Sequence, residues 1–439
     1  MQKFAAGMPS LSASSRLRLI PILLSQGIGL GCGLAAVKLN SHLIPPATLG
    51  FYGVFLTFAP MGMWVVHAGL LKFVGRNWAA ANDRPGMTHE ILAAWTRRLV
   101  WLVLLALGAG IAMARTTDIS PLLIGTALFI SAALLSLGAL AQSALQAERA
   151  HWRDCAVAAS GSLSRSFLPP LLYAAANGAA VALLAGFTVH ALIMAAAGAW
   201  ALGGIIVAGV GKKIPARTLT AVYEGPLFVA LTLALWTLTG VNRWIVAWFF
   251  GDIEAGYFTL AGGAAMIVAS MLGTAAMQYV QPGLFALGDG PETARSTLAR
   301  RVDLVALAYT VVALGALAVI TAFASRLVGP LISVKYVEAL KWLLPAGCFG
   351  VATLVAAYYH TMLLAGRRER ACAPVDLSTA AVLVIGCLGA AKLGSGWLAR
   401  WLLVSPVVPW ILTRTLARHY FFKPDPHPAR APAQTGTSA

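Results

Sequence analysis

The sequence predicts an all-α integral membrane protein with about twelve transmembrane helices, arranged as two like-oriented sets of six. Three observations point to it. Hydrophobic residues make up 59% of the 439-residue chain and charged residues only 11%, with a mean hydropathy of +0.78. A soluble domain has roughly a quarter of its residues charged, and could not cover so much apolar surface. The apolar residues fall into runs of span length, and lipid accepts such runs as helices because every backbone group is then bonded internally. The net charge of +17, from 32 Lys and Arg against 15 Asp and Glu, would suggest nucleic acid in a soluble protein. Here the basic residues gather in alternate connections between apolar runs, the positive-inside pattern. No nucleic-acid partner is expected, and both termini are expected in the cytoplasm.

The predicted spans of the first half lie near 19–43, 51–71, 99–114, 121–145, 155–176 and 179–208. Those of the second half lie near 226–249, 257–280, 304–324, 340–365, 377–393 and 397–416. Pro45-Pro46, Asn177-Gly178 and Gly251-Asp252 supply turn chemistry. Arg97 and Arg98, Lys212 and Lys213, Arg300 and Arg301, and Arg367, Arg368 and Arg370 mark inward connections. The chain thus divides into a cytoplasmic N-terminus (1–18), an N-terminal six-helix bundle (19–210), a cytoplasmic linker (211–225), a C-terminal six-helix bundle (226–416) and a disordered cytoplasmic tail (417–439). The basic N-terminal segment precedes an apolar run with no small-residue cleavage site after it, so it reads as a retained first helix. Five scattered cysteines without a Cys-x-x-Cys pair predict neither a disulfide framework nor a metal site. GVGKKIP (209–215) lacks the spacing of a phosphate loop, so no nucleotide site is expected.

The halves share a motif. PATLGFYGVF (46–55) and DIEAGYFTLA (252–261) each place a short polar turn before a glycine and two aromatics that open an apolar span. Each lies between the first and second spans of its half. An even number of spans per half gives both halves the same topology, related by an axis along the membrane normal.

Three stretches carry a family resemblance: 39–82 (LNSHLIPPATLGFYG…), 236–290 (WTLTGVNRWIVAWFFGDIEAGYF…) and 327–370 (LVGPLISVKYVEALKWLLPAG…). With the glycine–aromatic openings, a Pro after the eighth span and Tyr336-Val337-Glu338-Ala339 before the tenth, the chain resembles the polysaccharide-transporter branch of the multidrug/oligosaccharidyl-lipid/polysaccharide exporter superfamily. That branch includes the flippases of O-antigen and exopolysaccharide repeat units. The resemblance implies two bundles around a central cavity that opens alternately to either side. It also implies a multi-pass protein of the bacterial cytoplasmic (inner) membrane, with an undecaprenyl-diphosphate-linked oligosaccharide as cargo and a polysaccharide polymerase and chain-length regulator as partners. Family members often carry an acidic residue before the arginine of the seventh span, where this chain has Asn242-Arg243.

A charged group inside a span costs at least about 2.5–3.5 kcal/mol on insertion scales, so each invites a functional hypothesis. Lys38 and Arg243 sit on the first and seventh spans, each some seven residues before the turn that ends it. At 1.5 Å per residue that is roughly 10 Å below the outer surface. Arg165 falls near the middle of the fifth span. Three cations facing one cavity suit an anion, and a diphosphate is one that Arg holds bidentately and Lys as a point charge. Asn40, Asn242, His67, His190 and His360 are accessory candidates; the bland alternatives are snorkelling for Lys38 and packing roles for the others. Asp154, Glu224, Asp303, Glu338 and Asp376 sit near predicted span ends, so no buried carboxylate relay is expected. Coupling to a proton gradient would then fall to a terminal carboxylate or a histidine, with a sodium gradient left open. No cofactor is expected. Gly27, Gly29, Gly31 and Gly33 are either a hinge or a close-packing strip, and Pro406 and Pro409 predict a kink in the last span.

Two alternatives differ in what they require. A multidrug or cation exporter of the same superfamily needs carboxylates in its cavity. A membrane glycan polymerase or ligase resembles proteins with a large outer loop, and no loop here is long enough to build a catalytic domain.

Overall fold

The computed structural model describes residues 13–67, 69–81, 83–115, 117–203, 226–288, 292–366 and 368–423, which form helices joined by short turns and contain no strand. The linker 211–225, the GVGKKIP stretch and the tail beyond Lys423 lie outside them. The first half comprises α1 (Ala13–Leu43), α2 (Pro46–His67), the short α3 (Leu70–Asn77), α4 (Arg84–Ala114), α5 (Pro121–Ala147), α6 (His151–Ala175) and α7 (Val181–Leu202). The second comprises α8 (Pro226–Gly288), α9 (Glu292–Phe323), α10 (Leu340–Ala365), α11 (Glu369–Leu393), α12 (Ser395–Val404) and α13 (Arg414–Phe422).

Ten segments among the described residues are long and apolar enough to cross a membrane. They omit α6, whose 25 residues carry Arg153, Asp154, Arg165 and four serines. They also take 240–274 as one segment, although Gly251 (φ 83°, ψ 174°) bends α8 there. Several boundaries move. The run expected at 99–114 starts at Arg84, giving α4 31 residues. Helix α1 begins at Ala13, inside the expected N-terminal tail, and α13 continues to Phe422, past the expected end at 416.

The turns follow local chemistry. Asn177 and Gly178 adopt left-handed φ of 52° and 85°, and the Gly178 N–H reaches back to the Tyr173 carbonyl at 2.9 Å to close α6. Asp83 caps α4 by accepting the Gly86 N–H at 3.1 Å. Helix α12 stops before Ser405-Pro406, and Pro409–Thr413 is wound as a π-turn, the kink expected from the two prolines.

Small residues set the helix spacing, as lipid requires when no hydrophobic force separates helix from tail. A Cβ on Gly110 of α4 would overlap the Pro121 carbonyl of α5, and one on Gly198 of α7 would press on Ala141 of α5. Within the first half α5 packs on α4 and α7, and α6 on α1 and α7; in the second, α8 packs on α10 and α11. The seam between halves is made by α2 and α1 against α8. There the shared motif explains itself. A Cβ on Gly50 would overlap the Asp252 carbonyl, and one on Gly256 the Pro46 carbonyl, so the two copies cross backbone to backbone. Neither position tolerates a side chain.

Candidate functional site

The candidate site draws on α2, α6 and α7 of the first half and on α8 of the second. Helix α6 is rich in hydroxyls, which lets a polar strip sit at membrane depth. Ser164 Oγ lies 2.6 Å from the Ser160 carbonyl and 2.8 Å from His190 Nδ1 on α7. A serine has one proton, and the shorter contact to the carbonyl takes it. With that proton on the carbonyl, the contact suits a His190 tautomer that donates from Nδ1 to Ser164 and keeps its lone pair on Nε2. The His190 ring packs 5.4 Å from Phe187, which meets Phe55 at 5.7 Å and Tyr52 at 6.4 Å.

Arg165, next to Ser164, is exposed on α6 and lies within electrostatic range of Tyr52, His190 and Arg243. Tyr52 belongs to α2, His190 to α7 and Arg243 to the arm of α8 before Gly251. Arg243 is half-buried, and among the described residues neither arginine forms an ion pair with a carboxylate. Arg165 and Arg243, from opposite halves, thus lie within electrostatic range of each other with no carboxylate counter-ion among the described residues. Such an arrangement repels itself and is relieved by an anion.

The sequence sets Lys38 and Arg243 at matching depth, and the structure brings Arg165, the third cation, within electrostatic range of Arg243. Lys38 is exposed on α1, and its carbonyl accepts from Ser41 Oγ and contacts His42 Nδ1. No contact among the described residues ties its ammonium to the arginines. Asn242 is 8% exposed, and its Oδ1 accepts the backbone N–H of Arg243 at 2.9 Å. Asn40 Oδ1 and Trp244 Nε1 are buried without a hydrogen-bond partner among the described residues. Trp244 stands 5.1 Å from Phe58, which also meets Trp236 at 6.4 Å, so aromatics line the seam beside Arg243.

Next to the glycine crossing the seam is closed. Ser333 N–H donates to Ser41 Oγ at 3.2 Å, Lys335 Nζ to the His42 carbonyl at 2.9 Å, and Tyr336 OH to the Ile44 carbonyl at 3.0 Å. Tyr336 is fully buried and edge-on to Tyr257 at 5.9 Å. The Tyr336–Ala339 segment singled out in the sequence is therefore a clasp between the halves.

Two predicted accessory residues lie elsewhere. His67 ends α2, buried, near Arg98 of α4, whose Nη1 donates to the Val66 carbonyl at 3.2 Å. His360, toward the end of α10, has Nδ1 2.6 Å from Asp376 Oδ2. That pair corrects the expectation that no carboxylate is buried: Asp376 is 1% exposed because α11 begins at Glu369, two turns before it. A second network was also not anticipated. Asp303 accepts from Arg414 twice at 3.0 Å, from Arg418 at 2.9 Å and from Tyr359 OH at 2.9 Å, tying α9, α10 and α13. Arginines four residues apart on a last helix were the signal available. The four-glycine strip does not bend α1, which is helical throughout. A Cβ on Gly33 would strike Ile267 of α8, while Gly27 and Gly31 have open space. All five cysteines are buried free thiols.

No protein-family model matches the chain, and no curated protein matches it. Solved structures do. A MATE multidrug transporter, DinF-BH, determined as a complex, superposes with TM-score 0.59 at 15% identity, over 93% of this chain and 96% of that one. A MATE protein in complex with MaL6 gives 0.53 at 14% identity, over 92% and 96%. A MOP-superfamily transporter from Pyrococcus furiosus, described as having a binding pocket of reversed polarity, gives 0.51 at 16% identity, over 92% and 95%. Shared over nearly the full length of each chain, this helix arrangement gives the protein a MATE-type transporter fold.

Proposed function

We propose that the chain is an alternating-access membrane transporter whose cargo is an anion, specifically an undecaprenyl-diphosphate-linked oligosaccharide carried across the bacterial cytoplasmic membrane for surface polysaccharide synthesis. With α6 and both arms of α8 counted as crossings, it spans the membrane about twelve times with both ends inside. The carrying observation is the pair Arg165 and Arg243, from opposite halves, without a carboxylate partner among the described residues. Guanidinium forks match the two phosphates of a diphosphate, and their field draws an anionic headgroup inward. The half-buried Phe58, Trp236 and Trp244 offer apolar faces beside them. Lys38 would meet the cargo nearer the clasp, and a polysaccharide polymerase and chain-length regulator would take it up on the far side.

The fold neighbours support a second reading with at least equal force, since DinF-BH is a multidrug transporter. A cationic drug needs negative groups to hold it, and the two arginines disfavour that. The Pyrococcus furiosus transporter, with its pocket of reversed polarity, is a precedent for another cargo on this fold.

The test is replacement of Lys38, Arg165 and Arg243 by Gln in cells whose surface glycan depends on this protein. Loss of surface glycan at normal protein abundance is expected. Unchanged glycan at normal abundance would remove the assigned site.

A further inference from the structure

His190 is a buried imidazole that anion binding alone does not use. Its surroundings are sparsely charged. Helix α5, packed along α7, carries no titratable side chain in its whole length, and α7 carries only His190. On α6 the charged group within electrostatic range of it is Arg165; His151, Arg153, Asp154 and Cys155 stand at the start of that helix and Tyr173 at its end. From α2 the neighbour is Tyr52, through Phe187, and from α8 Arg243 lies beyond Arg165. The Ser164 contact suits the tautomer that donates from Nδ1, in which Nε2 is the ring's proton acceptor, and Nε2 has no protein partner among the described residues. While the site is empty, the burial of the ring and the Arg165 guanidinium beside it oppose a further positive charge there. An anion between the arginines cancels that repulsion and favours the charge instead.

We propose that His190 is the proton acceptor of the arginine site: a diphosphate-type anion entering between Arg165 and Arg243 draws one proton from solution onto Nε2, so anion and proton are carried together. This rests on the anion reading above. It adds a coupled ion and a direction, because proton and anion then move the same way. Linkage makes the effect reciprocal: if the anion promotes protonation, protonation tightens the anion. Affinity should fall as pH rises, by up to about tenfold per pH unit for one proton taken up.

The experiment is calorimetric titration of the full chain in nanodiscs with a symmetrical dialkyl diphosphate, whose own charge does not change near neutral pH. Repeating it in two buffers of different ionisation enthalpy counts the protons bound. The wild-type chain should take up a proton with the anion and bind more weakly at higher pH, whereas His190→Gln should bind without uptake and with a flat pH profile. Ser164→Ala, which keeps the imidazole, should retain uptake, and the wild-type proton count does not depend on any variant folding. Binding that is abolished by Arg165→Gln with Arg243→Gln yet takes up no proton would overturn the role of His190 alone. Uptake that persists in a binding-competent His190→Gln protein would do the same. Absence of binding, or binding indifferent to the arginines, would overturn the anion reading and this proposal together.

Discussion

At the scale of single residues, the features that matter are charges without partners and charges with too many. Arg165 and Arg243 lie within electrostatic range of each other without a carboxylate partner among the described residues, whereas Asp303 is gripped by two arginines and a tyrosine. The two cases predict opposite consequences of mutation. Replacing Arg165 or Arg243 by Gln should weaken a diphosphate ligand about 10- to 100-fold each, the range for losing a charge-assisted hydrogen bond. The same changes should leave thermal stability unchanged or raised, since they relieve repulsion. Asp303→Asn should instead leave ligand affinity unaltered and lower stability by about 1–3 kcal/mol, modest because Arg414 and Arg418 are both more than a third exposed. Thermal unfolding and ligand titration on the same preparations separate the two. The sequence made Arg165 and Arg243 visible because a cation inside an apolar run is conspicuous. It could not show which cations come into range of one another: matching depth suggested Lys38 with Arg243, and the structure brings Arg165 within electrostatic range of Arg243. Asp376 was hidden for a related reason. A hydropathy window ends at charged residues, so a carboxylate two turns inside a helix reads as a flank.

At the scale of elements, glycine placement separates contact from slack. The repeated glycine–aromatic motif was legible as a doubling, but its purpose needed the third dimension, where Gly50 and Gly256 let two backbones cross. Gly50→Ala or Gly256→Ala should force the halves apart at the crossing, with an overpacking cost of about 1–3 kcal/mol. Gly27→Ala and Gly31→Ala, in the same chain but facing open space, should be neutral or stabilising by up to about 1 kcal/mol from helix propensity. Unfolding measurements on the four variants would reverse that ranking only if the four-glycine strip, and not the crossing, were the close contact. Span boundaries were legible where a turn has its own chemistry, as at Asn177-Gly178. They were not where a polar helix continues an apolar one, as at Arg84, because capping by Asp83 outweighs the drop in hydropathy.

For the whole molecule, the clasp and the cationic site both draw on the two halves. Ser333, Lys335 and Tyr336 clasp the second half to Ser41, His42 and Ile44 of the first. Tyr336→Phe removes the bond to the Ile44 carbonyl and should raise cysteine accessibility near Ile44 severalfold without unfolding the protein. The twofold plan was readable from hydropathy and a ten-residue motif. The sign proposed for the site rests on three cations, two of which the structure brings within electrostatic range of each other. The cargo is the part least constrained by fold, because the same helix arrangement serves a multidrug transporter. The most direct measurement is therefore translocation by the full-length protein in proteoliposomes, with a fluorescent lipid-diphosphate sugar and a cationic dye assayed side by side. Transport of the diphosphate-linked sugar, abolished by Arg165→Gln with Arg243→Gln, and no movement of the dye is the expected result. Transport of the cationic dye by the wild-type protein, with the sugar-lipid left in place, would contradict an anionic cargo.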